Sequence, residues 1–79
     1  MVESKIITSL GTLAKRTDKN GEVWSKELNI VSWNGKAPKV DIREWNEDHT
    51  KANKGITLTF EEAERVADIL MALKEERSR

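Results

Sequence analysis

The stretch Trp33-Asn34-Gly35-Lys36-Ala37-Pro38-Lys39-Val40-Asp41-Ile42-Arg43-Glu44-Trp45 decides the fold. Asn-Gly is the residue pair that best tolerates two successive positive φ angles, which a tight hairpin turn requires. Pro38 lacks a backbone N–H and is tolerated at the first position of a strand. From Lys39 the side chains alternate: Val40 and Ile42 take one side, and Lys39, Asp41, Arg43 and Trp45 take the other. That period of two is the mark of a strand with one apolar face.

Working outward, Glu22 to Trp33 is the partner strand, rich in Val23, Trp24, Leu28, Ile30, Val31 and Trp33. Its alternation is imperfect, because Leu28 and Ile30 share one parity and Val31 and Trp33 the other. Either both faces are buried or a β-bulge shifts the register. The choice decides whether Trp24 and Lys26 share a face with Trp33. Upstream, Asp18-Lys19-Asn20-Gly21 is a turn cluster, preceded by a β-prone run around Ile6 to Leu13. Downstream, a polar loop over residues 46–53 leads to a short apolar run ending at Leu58. The expectation is four antiparallel strands, at about 5–14, 22–33, 38–45 and 54–58, in one domain spanning residues 1–79.

The remaining segment reads as a helix over about 60–77. Thr59 and Glu62 have the spacing of a capping box. Glu61, Glu62 and Glu64 favour the positive end of the helix dipole, and Lys74, Arg77 and Arg79 favour the negative end. Phe60, Ala63, Val66, Ala67, Leu70 and Leu73 form the stripe expected to face the sheet. Between Val66 and Leu73 only Asp68 is polar, so one thin sheet cannot cover the helix. The same helix of a second chain, across a two-fold axis, is the expected cover, with Val66, Ile69, Leu70 and Leu73 at the interface. The fold class is therefore α+β: a four-stranded curved antiparallel sheet followed by one C-terminal helix, as a homodimer. One sheet face is expected to pack on the helix, and the other to stay open.

Composition narrows the chemistry. The chain has 79 residues, 37% hydrophobic and 35% charged, with no cysteine. So small a chain buries little surface and commonly needs a staple. Disulfides and thiolate metal sites are excluded, and His49 alone cannot build a zinc site, which leaves a second subunit. The net charge is zero, with 14 basic and 14 acidic residues, which does not describe a simple basic nucleic-acid binder. No apolar run is long enough to span a membrane. Glu3 interrupts any leader-like start, and the expected location is the cytoplasm. No phosphate-binding glycine loop or dinucleotide fingerprint occurs. His49 reads as a solvated loop side chain, and the paired Glu61 and Glu62 are explained by helix capping. No catalytic constellation, cofactor or metal is expected.

The tryptophans carry the functional signal. Trp45 shares its face with Lys39 and Arg43, and Trp33 leads into Lys36. Aromatic and cationic side chains interleaved on a sheet face suit single-stranded nucleic acid, because bases stack on indoles while cations follow the phosphates. Trp24 reads as a packing residue.

The segments Trp24-Ser-Lys-Glu-Leu-Asn-Ile-Val-Ser-Trp33-Asn34, Lys39-Val-Asp-Ile-Arg-Glu-Trp45 and Asp48-His-Thr-Lys-Ala-Asn-Lys54-Gly-Ile-Thr-Leu58 resemble the bacterial YdbC-type branch of the positive-cofactor-four transcriptional coactivator family. The resemblance runs from about Trp24 to Glu62. It implies a homodimer with the C-terminal helix at its interface, no catalytic activity, and binding of single-stranded DNA with little sequence preference. RNA is an alternative ligand, and transcription regulation, replication or repair the setting. It implies stacking by Trp33 and Trp45, and phosphate contacts by Arg43, Lys54 and Lys26. Lys36 and Lys39 fall in the hairpin region, where the family is basic. The chain departs from the family at Ser25 and Ile30, where the bacterial branch would carry basic residues. A module that binds a peptide or protein through the same tryptophan face is the competing expectation.

Overall fold

A computed structural model describes residues 3–78. Four strands, β1 (Ser4–Thr17), β2 (Val23–Trp33), β3 (Lys39–Asn46) and β4 (Ile56–Leu58), precede one helix, α1 (Phe60–Arg77). The strands form one antiparallel sheet in the order β1-β2-β3-β4.

Local chemistry builds the two hairpin turns. At the β2–β3 turn, Asn34 and Gly35 both take positive φ (52° and 73°). The Lys36 N–H donates to the Trp33 carbonyl at 2.9 Å, which closes the turn. At the β1–β2 turn, Asp18 organises the chain. Its Oδ1 accepts from the backbone N–H groups of Asn20 and Glu22, and its Oδ2 from the Trp24 indole at 3.0 Å. The indole N–H and the Glu22 amide together hold the Asp18 carboxyl below its ordinary range.

Of the two alternatives open for β2, a bulge or burial on both faces, its ladder with β3 shows no bulge, and the register slips lie in β1. β2 and β3 pair from Trp24–Asn46 to Val31–Lys39 without a shift. The β1–β2 ladder slips at Ile6/Thr8, Ser9/Gly11 and Thr12/Ala14. Each slip gives β1 one extra residue: Ile7, Leu10 and Leu13, which stand about half exposed. Bulges of this kind sharpen twist and blunt an edge strand against pairing with other chains.

The unshifted β2–β3 ladder fixes the faces. Ser25, Glu27, Asn29, Val31 and Trp33 share one face with Asp41, Arg43 and Trp45; Trp24, Lys26, Leu28 and Ile30 share the other with Val40, Ile42 and Glu44. The first face is the inside of a strong curl. Trp45 lies opposite Ser25, eight residues along β2 from Trp33. A flat strand would separate those positions by roughly 26 Å, yet the two indoles stack. Inside the curl Val31, Asn29 and Asp41 are fully buried, and Trp45 is 2% exposed. The open tryptophan face expected from the sequence is thus folded in on itself.

The helix departs from the expected packing. Its capping box forms: Thr59 Oγ1 accepts from the Glu62 N–H, and the Glu62 carboxylate from the Thr59 N–H. Thr59 is the single residue between β4 and α1, and it is extended (ψ 163°). The helix therefore leaves from the edge strand rather than turning back across the sheet. It touches only β3 and β4, and none of its residues is buried. The stripe of Phe60, Val66, Leu70 and Leu73 that was expected to meet the sheet is exposed, as are Ile69 and Met71.

Candidate nucleic-acid interface

Inside the curl, four planar groups form a row. The Arg43 guanidinium lies 4.4 Å from the centre of the Trp33 ring. Trp33 stacks on Trp45, with centroids 6.2 Å apart and planes within 10°. Trp45 in turn meets the His49 imidazole at 5.6 Å, tilted by 35°. A buried carboxylate backs each end. Asp41 takes Arg43 in a bidentate pair, Nε to Oδ1 and Nη2 to Oδ2, both at 2.7 Å. Glu27 faces the His49 Nε2 at 3.0 Å. Further bonds hold the acids: Thr57 Oγ1 donates to Asp41, and Asn29 Nδ2 to Glu27. Burial works to raise the Glu27 carboxyl, but its bonds from Asn29 and His49 outweigh that and leave it below the ordinary range.

The loop between β3 and β4 shapes the His49 end of the row. Trp45 makes an isolated bridge with Ala52. His49 takes positive φ (59°), which brings its ring over Trp45. His49 is exposed, as its loop position suggested, and it also joins the row through Trp45 and Glu27. No sequence signal pointed to it, because its partner Glu27 is 22 residues away. Gly55 passes so close to Arg43 that an added Cβ would meet the Arg43 Cβ and the Ile42 carbonyl. The glycine is what lets the chain cross the Arg43 end of the row.

The remaining residues expected at the site are dispersed around it. Lys39 has the parity of the inner face, at the start of β3, and is exposed; Lys36 and Lys54 are exposed in the flanking turn and loop. Lys54 follows Asn53, whose carbonyl accepts from Arg43 at 3.4 Å. Lys26 lies on the outer face, opposite Glu44, away from the tryptophan row. On that outer face Arg16 forms a two-bond pair with Glu44, at 2.7 and 2.8 Å. This pair, with a bond from Asn53, lowers the Glu44 carboxyl to about 2. Arg16 also lies 5.9 Å from the Trp24 ring. Trp24 is buried on this side.

The inner face holds polar atoms that the chain does not use. The indole N–H groups of Trp33 and Trp45 and the Asn29 Oδ1 are buried without a hydrogen-bond partner. Each such atom costs about 1–3 kcal/mol, so an aliphatic interior would be more stable. A shallow cleft lined by Thr12, Lys15, Ser25, Glu27, Glu47 and His49 opens at the His49 end of the row.

The chain is similar to a protein of Treponema pallidum (strain Nichols) described as uncharacterized. The two are 42% identical over 69 residues, covering 87% of this chain and 76% of that one. The family model for Transcriptional Coactivator p15 (PC4) matches residues 21–69, which span β2, β3, β4 and the first half of α1. The chain belongs to the Transcriptional Coactivator p15 (PC4) family.

Proposed function

We propose that this protein is a homodimeric single-stranded DNA-binding protein of the YdbC-type bacterial branch. It acts without catalysis in transcription regulation, replication or repair. The observation that carries the reading is the stacked pair Trp33–Trp45 on one sheet face, in a chain whose family is that of a transcriptional coactivator. Stacked indoles suit unpaired bases, and the unused donors and acceptors of the inner face suit a polar ligand. Trp33, the less buried indole, is the stacking platform, and Trp45 is the floor behind it. Lys36, Lys39 and Lys54 supply phosphate contacts around the rim. Lys26, on the outer face, meets only a strand that wraps around the edge of the sheet.

The helix supports the dimer. Val66, Ile69, Leu70 and Leu73 are 38–55% exposed in the single chain, an apolar strip that a soluble protein covers. A second copy of the same helix does so with the same residues on both sides.

A protein-binding module is the second reading. It is favoured by the zero net charge and by the internal pairing of Arg43 with Asp41. Titration of the intrinsic tryptophan fluorescence with oligo-dT and with a duplex of equal length separates the two. Saturable binding of the single strand with clear preference over the duplex supports the first. No oligonucleotide binding removes it.

A further inference from the structure

The bidentate Arg43–Asp41 pair leaves little of Arg43 for a ligand. Its side chain is 15% exposed and that of Asp41 fully buried. Two guanidinium nitrogens are spent on the carboxylate, and Thr57 locks that carboxylate from the other side. The guanidinium lies over Trp33, although Arg43 is paired with Glu27, six residues along β2 from Trp33. Only the curl brings them together. Arg43 therefore spans the curl from β3 to the far end of β2.

We propose that Arg43 is a positioning residue: anchored on Asp41, its guanidinium holds Trp33 in the aromatic row and keeps the sheet curled, instead of meeting a phosphate. The inference rests on the single-stranded DNA reading above and departs from the phosphate role that the family resemblance implied. Arginine suits this task better than lysine. A planar fork can grip a carboxylate with two bonds while stacking on an indole, and an ammonium cannot do both. The clamp also joins two residues that the β2–β3 ladder does not pair, since Trp33 lies opposite Ser4 of β1 and Arg43 opposite Glu27.

Arg43→Lys tests this, because it keeps the charge and loses the fork. Oligo-dT affinity is measured across a salt series on the intact protein. Near-ultraviolet circular dichroism and the thermal midpoint are recorded beside it. The expected result is an affinity loss of about tenfold, the order of a lost cation–π contact and its anchor, with the salt slope of the wild type. The near-ultraviolet tryptophan signal should weaken, because Trp33 is no longer fixed. Thr57→Val, a milder change that frees one side of Asp41, should move both readouts in the same direction by less, and serves if Arg43→Lys does not fold. An Arg43→Lys protein that binds as tightly as wild type with an unchanged tryptophan signal would overturn the proposal. So would an Arg43→Gln protein whose slope is shallower by about 0.7 per site lost, the mark of a phosphate contact. If the wild type binds no oligonucleotide, the DNA reading fails and the positioning role is decided by the tryptophan signal alone. The circular dichroism then still shows whether the clamp holds Trp33.

Discussion

At the scale of single residues, the three tryptophans divide the labour by burial. Trp24 is held by Asp18 on the outer face. Trp45 is 2% exposed between Trp33 and His49, and it is a structural floor before it is anything else. Trp45→Ala should lose about 3–5 kcal/mol of stability, as expected for removal of a buried aromatic; urea unfolding measures this. Trp33→Ala should cost less stability and lower oligo-dT affinity by about 1–3 kcal/mol, read by titration at fixed salt. A Trp33→Ala protein that binds as wild type does would remove Trp33 from the site. The division was not visible in the alternation Lys39, Asp41, Arg43, Trp45. Parity assigns a face, and it does not say that the face will close on itself.

At the scale of elements, what depends on neighbouring residues was legible and what depends on distant ones was not. Asn34-Gly35 and the Thr59–Glu62 box read correctly because each is satisfied within four residues. The choice open for β2, between a bulge and burial on both faces, was not decided by the sequence, because a bulge is a mismatch between two strands and neither sequence alone carries it; the slips fall in β1. His49 was missed because Glu27 makes its site, and the helix was laid on the sheet because an apolar stripe does not name its partner. One ion pair ties β1 to β3 across β2 on the outer face and sets an acid limit. Arg16 on β1 holds Glu44 on β3, whose carboxyl falls from 4.5 to about 2. A carboxyl lowered in the folded state stabilises it above the unfolded value, and the benefit fades as pH falls through the folded value. Stability should therefore decline as pH falls from about 4.5 towards 2, with Glu27 and Asp18 acting in the same direction. Glu44→Gln should flatten that decline. The urea midpoint against pH checks this, and equal slopes for both proteins would contradict it.

At the scale of the whole molecule, a curled sheet with a polar interior carries a helix none of whose residues is buried. The proposed second copy would cover the apolar surface of α1, and Leu70, 54% exposed, lies in the middle of it. Leu70→Asp should place an unpaired carboxylate in the interface and dissociate or unfold the protein. Sedimentation equilibrium should give a dimer for the wild type at micromolar concentration, and a stable monomer there would rule out the helix interface. The proposed dimer also bears on function, since two copies of Lys36, Lys39 and Lys54 would double the cations available to one strand. The most direct test of the DNA reading is the salt dependence of oligo-dT binding by the wild-type protein, followed by tryptophan fluorescence beside a duplex control. Four to six phosphate contacts predict a log–log slope of about −3 to −4, with the single strand clearly preferred. Equal affinity for duplex and single strand, or no binding of either, would contradict the reading.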